Sequence, residues 1–407
     1  MEANGINTGI NIDEDTKRYY PYGDLASNLL GFCGDDNTGL YGLEQRMDSV
    51  LTGTKGKIVT IKSLNGQAIS DENEQYIPAE NGNNIYLTID VNIQAIAEKY
   101  LEQAVKENGC EDGGNIIIMN PQNGDILAMA TYPDYNLNDP FVIENTGYTG
   151  EEWAAMDSVQ KSDAYSTLYQ NRAVTGSYEP GSTFKLITSA IALEENLVDT
   201  SSVLFHCAGK YHVGDRDIYC WRSTPHLAQS LTQALGNSCN PAFMQLGQRI
   251  GASTLYKYFK AFGLFEPIGN DISKAYKGQF YELKDMGPVE LATTAFGQGV
   301  SVTPIQQVMA VSAVVNGGYL YEPYIVKSIS DKTNTVIKEY YPKFKRQVIS
   351  SETSSIMRYA LETVVAYGGG KSAYIEGYRV GGKTGTAQKA VNGVYQSGNY
   401  NLSMIAA

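Results

Sequence analysis

The pattern of apolar and polar positions divides the chain near residue 85. Residues 19–51 are rich in Gly, Tyr and Asn, and residues 52–85 alternate apolar and polar positions in short pieces separated by Asn-Gly dipeptides. Such pieces are typical of strands joined by turns, so this part is predicted to be an elongated, β-rich leader. After Asp90, a suitable N-cap, apolar residues recur at the spacing of one helix face, and a compact domain is predicted to start there. The residues of that face are Ile93, Ile96, Ala97, Tyr100, Leu101 and Ala104.

The remainder of the chain predicts an α+β domain. Residues 115–119 and 125–131 form two apolar runs around a turn, which indicates antiparallel strands. Helical patterns dominate residues 183–315, and the last of these helices has a cap at Thr303, a proline at its first position and a stop at Asn-Gly-Gly. Residues 378–388 and 401–407 again look like strands. Strands, then helices, then strands predict a sheet that is split in sequence around a helical insert.

Composition excludes several functional classes. The 407 residues include 31 basic and 44 acidic side chains, a formal charge of −13, so no basic face is expected for nucleic acid. No apolar run reaches the roughly 18 to 20 residues that a membrane helix needs. The first 15 residues show no signal peptide.

The segment 178–188 (YEPGSTFKLIT) carries the clearest chemical signal. Its Pro-Gly forces a tight turn, and the apolar run that follows predicts a helix inside the protein, with Ser182 at its start and Lys185 one turn later. Positions three apart share a helix face, so the hydroxyl and the amine can touch. A buried lysine near other cations has a depressed pKa and can activate a serine nucleophile. The alternative is a serine cap with a chance lysine, and S-x-x-K alone leaves it open.

A second motif, S-x-N, joins Ser238 and Asn240. The hydroxyl could relay a proton between nucleophile and leaving group, and the amide could hydrogen-bond a peptide carbonyl of a substrate. The alternative is a helix cap before Pro241, in which either side chain satisfies backbone N–H groups.

A third motif, K-T-G-T, spans Lys383, Thr384, Gly385 and Thr386. On a strand edge it offers a cation and hydroxyls for a carboxylate, and its glycine lets the backbone approach a ligand closely. Residues 377–384 also fit the letters of a phosphate-binding loop. That alternative needs a helix directly afterwards, which a glycine at 385 disfavours.

The three motifs follow one another at separations of 56 and 145 residues. This set in this order resembles the penicillin-recognising serine acyl-enzymes, which are the penicillin-binding proteins and the serine β-lactamases. Further segments resemble class B penicillin-binding proteins, the monofunctional D,D-transpeptidases of septum, elongation and spore-cortex synthesis. These segments are residues 18–23 (RYYPYG), 39–44 (GLYGLE), 120–124 (NPQNG), 135–140 (YNLNDP) and 295–306 (AFGQGVSVTPIQ).

The resemblance implies roles for the motif residues. Ser182 would attack the penultimate D-Ala carbonyl of a D-Ala-D-Ala stem peptide, Lys185 would take its proton, and Ser238 with Lys383 would protonate the leaving amine. Asn240 would orient the donor. The substrate carboxylate would meet Thr384 and Thr386, with positive charge from Lys383, and the N–H groups of Ser182 and Thr386 would form the oxyanion hole. Partners implied are stem peptides, β-lactam antibiotics and membrane proteins of a division or sporulation complex, without a cofactor.

The resemblance also implies an organisation. Residues 1–84 would be the C-terminal part of a non-catalytic pedestal or dimerisation domain with its linker, and residues 85–407 the transpeptidase domain, an antiparallel sheet with an all-helical insert. Relatives normally have an N-terminal membrane anchor and work on the extracytoplasmic face of the bacterial plasma membrane. They also carry two further strands and a helix at the C-terminus, so this chain is expected to be truncated at both ends, with reduced stability and impaired activity. A version extended by roughly a hundred residues should melt at a higher temperature.

Other functions stay open at this stage. One is a β-lactam sensor or a scaffold without catalysis, and the other is a serine β-lactamase, which the 295–306 segment, the leader and the length disfavour.

Five cysteines and three histidines complete the chemical inventory. No H-E-x-x-H or paired C-x-x-C motif is present, so no metal site is predicted. Cys207 and Cys220 bracket a hairpin-like stretch, for which a disulfide, a zinc ion or a reduced pair are alternatives. Cys239 is predicted to be a small buried residue. The histidines, predicted to be packing residues, are His206, His212 and His226.

Overall fold

The computed structural model describes residues 17–59, 75–268, 276–391 and 394–407. The chain divides into two compact units. Unit 1 comprises Met1–Ile85, Pro133–Tyr169 and Ile329–Ile337, and unit 2 comprises Tyr86–Tyr132, Gln170–Ser328 and Lys338–Ala407. Unit 2 contains all three chemical motifs.

Helices are short in the first part of the chain and longer from residue 91 onward. In the described residues they are α1 (Ser27–Leu30), α2 (Gly42–Arg46), α3 (Asp48–Leu51), α4 (Val91–Glu107), α5 (Gly150–Ala155), α6 (Ser158–Tyr169), α7 (Arg172–Thr175), α8 (Lys185–Glu194), α9 (Leu231–Gly236), α10 (Asn240–Ile250), α11 (Ala252–Ala261), α12 (Pro288–Thr294), α13 (Pro304–Val315) and α14 (Ser351–Tyr367). No helix among the described residues is both long and apolar enough to cross a membrane.

The strands form small sheets. They are β1 (Lys57–Val59), β2 (Gln75–Ile77), β3 (Asn84–Leu87), β4 (Gly114–Met119), β5 (Ile126–Tyr132), β6 (Phe205–Cys207), β7 (Lys210–Val213), β8 (Arg216–Tyr219), β9 (Leu227–Gln229), β10 (Tyr319–Glu322), β11 (Val326–Ser330), β12 (Val336–Glu339), β13 (Lys343–Gln347), β14 (Gly382–Val391) and β15 (Val394–Ala406). The described part of the chain has six antiparallel pairs, β1–β2, β4–β5, β6–β9, β7–β8, β10–β13 and β14–β15, and a three-stranded sheet with the order β12–β11–β3.

Unit 1 is organised around an aromatic cluster. The ring of Phe32 lies 4.9 to 6.0 Å from the rings of Tyr41, Tyr135, Phe141 and Tyr169. Offset and edge-on contacts of this kind add stability beyond the burial of apolar area. Two of these rings, Tyr41 and Tyr135, come from segments that the sequence analysis singled out by resemblance, so those segments have a packing role in this unit.

The prediction of a β-rich leader is wrong for its first half, since the elements between residues 27 and 51 are the short helices α1, α2 and α3. Close backbone contact explains why glycines are frequent there. Gly31 and Gly42 both have positive φ angles, 69° and 59°, and a Cβ on Gly31 would lie 1.9 Å from the carbonyl oxygen of Tyr41. The frequent glycines therefore reflect tight packing of short helices. The Asn-Gly turn at 65–66 lies outside the described residues.

In unit 2 the antiparallel strands predicted around the turn at 120–124 are found as β4 and β5, and the helix predicted after Thr303 is found as α13. Helix α4 begins directly after Asp90, as predicted. The Asp90 carboxylate caps the helix, since it accepts hydrogen bonds from the N–H groups of Asn92 and Ile93. Its buried face is shifted from the predicted one, however, since Ile96 and Tyr100 are exposed. The residues that pack inward are Gln94, Ala97, Leu101 and Val105.

The helical core of unit 2 surrounds α8. Residues 185–193 of this helix are all buried, and α8 packs against α10, α13 and α14. A helix that is covered on every side holds its first turn rigidly, which fixes the side chains at that end. Two hairpin-like pairs, β6–β9 and β7–β8, interrupt the region 183–315 that was predicted to be mainly helical.

Candidate active site

The predicted nucleophile lies in a tight turn before α8. Ser182 belongs to a short 3-10 helix, Gly181–Thr183, and its side chain is half-buried. Gly181 has a φ of 54°, and a Cβ there would lie 3.0 Å from the carbonyl oxygen of Thr386 and 3.2 Å from the Cβ of Ala387. Only glycine combines this backbone with so close an approach of strand β14. The Pro-Gly before the serine thus sets the nucleophile directly against the K-T-G strand.

Lys185 is the centre of a hydrogen-bond network at the start of α8. Its Nζ lies 3.0 Å from Ser182 Oγ, 2.8 Å from Ser238 O, 3.3 Å from Ser238 Oγ and 2.8 Å from Asn240 Oδ1. The side chain is fully buried, and burial, assisted by the positive charge of Lys383, holds the pKa of Lys185 well below its usual range. A neutral amine at this position can accept a proton from the serine.

The S-x-N motif completes this network. Ser238 follows α9 and donates a hydrogen bond from its hydroxyl to Ser182 Oγ, at 2.8 Å. The cap alternative is wrong, because neither Ser238 nor Asn240 caps α10 by its side chain, and Cys239 is the N-cap residue. Ser238 also has a φ of 52°, a region that serine rarely adopts. Such strain persists only where the surroundings determine the backbone strongly, and it concentrates at functional sites.

The K-T-G-T residues lie on strand β14. Lys383 is buried, donates to the carbonyl oxygen of Thr384 at 2.9 Å, and has its pKa lowered by burial to about 8. Thr384 is half-buried and Thr386 is exposed. A Cβ on Gly385 would lie 2.5 Å from Ser403 Oγ and 2.8 Å from the carbonyl oxygen of Pro180. The phosphate-loop alternative is wrong, since a strand follows the motif where a helix would be needed.

These contacts define what the site can do chemically. A half-buried hydroxyl touches a buried neutral amine and a second hydroxyl, so a proton has a short path from one group to the next. The second cation, Lys383, lies close enough to influence the charge of Lys185. The arrangement suits nucleophilic attack by a serine on a carbonyl carbon of an anionic substrate.

A family model for the penicillin-binding protein transpeptidase domain matches residues 114–407, and one for the penicillin-binding protein dimerisation domain matches residues 2–87. The chain belongs to the penicillin-binding protein transpeptidase family. The resemblance seen in the sequence and the α+β penicillin-binding fold are thereby confirmed.

Curated relatives of this penicillin-binding protein come from several bacteria. Stage V sporulation protein D of Bacillus subtilis is 44% identical over 398 residues, which is 98% of this chain and 58% of that protein. Peptidoglycan D,D-transpeptidase FtsI of Escherichia coli K12 is 29% identical over 382 residues, 94% of this chain and 58% of that protein. The chain thus spans a little over half the length of these two relatives.

Solved structures agree with the family assignment. Penicillin-binding protein 3 of Mycobacterium tuberculosis in complex with aztreonam has a TM-score of 0.79 and 26% identity, over 96% of this chain and 80% of that one. A putative peptidoglycan glycosyltransferase of Atopobium parvulum has a TM-score of 0.77 and 30% identity, over 96% of this chain and 82% of that one.

Sequence reasoning gave no role to one carboxylate beside the nucleophile. Glu179 accepts hydrogen bonds from the N–H of Gly299, at 3.0 Å, and from the Tyr395 hydroxyl, at 2.9 Å. Burial raises the pKa of Glu179. The carboxylate therefore joins the turn before Ser182 to strand β15. The signal in the sequence that could have identified Glu179 is its position within the 178–188 segment.

The F-G-Q-G segment, residues 296–299, contacts the turn that carries Ser182. The N–H of Gly181 donates to the carbonyl oxygen of Gly297, at 2.9 Å. A Cβ on Gly297, whose φ is 82°, would lie 2.2 Å from the carbonyl oxygen of Gly181 and 2.7 Å from the Cβ of Phe184. The segment was recognised by resemblance alone, and its contact with the nucleophile turn depends on the tertiary structure.

Proposed function

We propose that this protein is a peptidoglycan D,D-transpeptidase that forms an acyl-enzyme at Ser182. The donor is a stem peptide ending in D-Ala-D-Ala, terminal D-Ala is released, and the acyl group passes to an amine of a neighbouring stem peptide. Penicillin acylates the same serine. The observation that carries the proposal is the position of the buried Lys185 amine, within hydrogen-bond distance of Ser182 Oγ and of both S-x-N side chains.

In the acylation step, Ser182 Oγ forms a bond to the carbonyl carbon of the penultimate D-Ala. Lys185 accepts the hydroxyl proton, because burial and the nearby Lys383 keep its amine neutral. The oxygen of the tetrahedral intermediate takes up negative charge, which the N–H groups of Ser182 and Thr386 stabilise. Such preorganised donors usually supply the largest electrostatic share of catalysis in acyl transfer.

Collapse of the intermediate breaks the carbon–nitrogen bond of the scissile peptide. The proton reaches the leaving D-Ala amine through Ser238, whose hydroxyl lies 2.8 Å from Ser182 Oγ and 3.3 Å from Lys185 Nζ. In the second half-reaction the acceptor amine attacks the ester carbonyl, loses its proton along the same path and returns it to Ser182. The cross-link replaces one peptide bond with another, so no external energy source is required.

Donor recognition depends on charge and on hydroxyl groups along strand β14. Lys383 supplies positive charge for the terminal carboxylate, Thr384 and Thr386 supply hydrogen bonds, and Gly385 allows the strand to run close to the turn of the nucleophile. Asn240 orients the donor peptide through its amide.

The names of the relatives support a role in the bacterial envelope. One is a sporulation protein and another is a peptidoglycan D,D-transpeptidase. On this support we propose that the protein acts on the extracytoplasmic face of the plasma membrane, together with membrane proteins of a division or sporulation complex.

The first test is intact-protein mass spectrometry after incubation with benzylpenicillin. We expect a single adduct that persists for many minutes in the wild type and is lost in Ser182→Ala. Ser189→Ala is the matched control, because Ser189 is a buried serine on the following helix, α8, and its hydroxyl has no hydrogen-bond partner among the described residues. That variant should be acylated at the wild-type rate. Absence of an adduct on a folded wild type would overturn the proposed acylation site.

Transfer is tested with a peptide donor that ends in D-Ala-D-Ala and an amine acceptor. The expected products are free D-Ala and the joined peptide in equal amounts. Rapid hydrolysis of penicillin in repeated turnovers would indicate a β-lactamase instead. A stable penicillin adduct without any D-Ala release would indicate a sensor or scaffold.

A further inference from the structure

Four potential metal ligands converge on one point beside the S-x-N motif. Among the described residues, Cys207, Cys220, His226 and Cys239 place their ligand atoms within 4.8 Å of one another. They come from four separate segments: the end of β6, the residue after β8, the residue before β9 and the N-cap of α10. All five cysteines of the chain are free, so the disulfide considered between Cys207 and Cys220 is not formed.

The distances match those of a tetrahedral zinc site. His226 Nδ1 lies 3.5 Å from Cys220 Sγ and 3.7 Å from Cys207 Sγ. With zinc–sulfur bonds of about 2.3 Å and zinc–nitrogen bonds of about 2.0 Å, a tetrahedral site separates sulfur from nitrogen by about 3.6 Å. Two sulfur ligands are then about 3.8 Å apart, and all four ligand atoms of the cluster lie within 4.8 Å of one another.

A buried amide lies close in sequence to the ligand His226. Gln229 is almost fully buried, and its Oε1 accepts a hydrogen bond from the Asn237 amide, which fixes the side chain. Among the described residues its Nε2 has no hydrogen-bond partner. A buried unpaired donor is costly, and a metal-bound thiolate would satisfy it.

We propose that Cys207, Cys220, His226 and Cys239 bind one zinc ion with three sulfur ligands and one nitrogen ligand. Four protein ligands leave no open position, so the metal is structural and takes no part in bond making or breaking. Neither ordinary packing nor hydrogen bonding requires three thiols and an imidazole nitrogen to point at the same centre. From the sequence no metal site was predicted and zinc was only one alternative for Cys207 and Cys220, because the spacing of 12, 5 and 12 intervening residues fits none of the metal-binding motifs considered.

The metal would position the acylation site. Cys239 lies between Ser238, whose backbone is strained, and Asn240, and both neighbours contact Lys185. A zinc bond to Cys239 anchors this segment to the β7–β8 hairpin region. Ser238 and Asn240 would then keep their places around the amine, so the ligands act as positioning residues.

Metal content is the direct test, and it does not depend on catalysis. The purified full chain, expressed with added zinc and dialysed against metal-free buffer, should contain about one zinc per chain. X-ray absorption at the zinc edge should give three sulfur neighbours at about 2.3 Å and one nitrogen neighbour. A folded wild type without zinc, or non-reducing peptide mapping that shows a disulfide among the three cysteines, would overturn the proposal.

Matched variants identify the ligands. His226→Ala and Cys220→Ser should lose zinc almost completely, whereas His212→Ala and Cys110→Ser, which lie outside the cluster, should retain it. Retention of zinc by both of the first two variants would also overturn the assignment. If those variants fail to fold, cobalt substitution of the wild type replaces them, because thiolate-to-cobalt charge-transfer bands report sulfur ligation directly.

The positioning role rests on the proposed function and is measured separately. Removing zinc from the folded wild type with a chelator should slow acylation by penicillin at least about tenfold, as is typical when support of a site is lost, and zinc should restore it. An unchanged rate after verified zinc removal would refute the positioning role. Failure of the zinc-loaded wild type to react with penicillin at all would count against the proposed function, while the metal content would still decide the metal site.

Discussion

Two buried polar networks, one in each unit, show how differently a buried charge can be handled. In unit 1 the Glu44 carboxylate is almost fully buried and pairs with Arg18 at 2.7 Å, and it also accepts from the Cys33 thiol at 3.4 Å. Burial and the Glu44 charge raise the pKa of Cys33 to about 11, so the thiol stays protonated as a donor. Every charged or polar group in this network has a complementary neighbour.

In unit 2 the Lys185 amine is equally buried, but its described hydrogen-bond partners are hydroxyl, carbonyl and amide oxygens. The positive charge of Lys383 opposes its protonation and adds to burial in lowering the pKa of Lys185. A paired buried charge is retained as an ion, whereas a buried amine without a carboxylate partner becomes a neutral base. The comparison indicates that the first network stabilises the fold and that the second is arranged for chemistry.

The largest expected effect comes from removing the base. Lys185→Met should reduce the rate of acylation by penicillin by about 10² to 10⁴-fold, the usual share of general-base catalysis. Stopped-flow measurement with a fluorescent penicillin gives the rate, and a melting curve verifies the fold. Lys257→Met, at an exposed lysine, should leave the rate unchanged. A Lys185→Met variant that reacts within a few-fold of wild type would refute the assignment of the base.

Breaking the ion pair of unit 1 should instead change stability. Glu44→Gln leaves Arg18 without its carboxylate, so we expect a loss of about 1 to 3 kcal/mol in the free energy of unfolding and no change in the acylation rate. The matched control is Glu362→Gln, whose arginine partner is exposed and whose pair should contribute less to stability than the Glu44 pair. Equal losses for both variants in urea titrations would show that burial does not distinguish the two pairs.

The pH dependence sharpens the difference between the two lysines of the site. Lys383 has a pKa lowered by burial to about 8, so it is charged below that pH and neutral above it. Acylation should therefore fall by up to about tenfold per unit as the pH rises above 8, because the carboxylate loses its cation. Lys383→Arg keeps the charge and should move this decline to higher pH. If the acylation rate of Lys383→Arg declines at the same pH as that of the wild type, the decline is caused by a group other than Lys383.

The smallest expected effect separates backbone strain from hydroxyl chemistry at Ser238. Ser238→Ala and Ser238→Gly both remove the hydroxyl, so both should slow acylation by a similar factor. Glycine adopts the φ of 52° freely, and Ser238→Gly should therefore be more stable than Ser238→Ala by about 1 kcal/mol. Paired chemical denaturation curves would detect that difference, and identical stabilities would argue against strain at this position.

The sequence was sufficient to predict the local elements whose physics is contained in a few neighbouring residues. The Asp90 cap of α4, the Thr303 cap with Pro304, and the strands around the turn at 120–124 were predicted and are found. Capping and turn formation depend on side chains a few positions apart, so a single segment carries the information. The three motifs and their order likewise indicated the family before any distance was known.

Other features depend on groups that are far apart in sequence. The apolar pattern of α4 predicted that Ile96 and Tyr100 are buried. In the structure both are exposed, and the buried face of the helix includes Gln94 instead. The leader was predicted to be rich in strands, but its first half forms short helices that pack closely through glycines. Long-range packing can override local propensity in this way, because the burial of a whole face outweighs the preference of any one residue.

The sequence by itself determined which chemical groups this protein has and the order in which they occur. Only the tertiary structure decided that the Ser182 hydroxyl, the Ser238 hydroxyl and the Lys185 amine meet, and that three cysteines and His226 converge beside them. Ser238 lies 53 positions from Lys185 and 56 positions from Ser182, so these groups meet only when the core around α8 forms. The pKa of the buried amine is set at the same moment, since desolvation is a property of the folded interior and not of the chain.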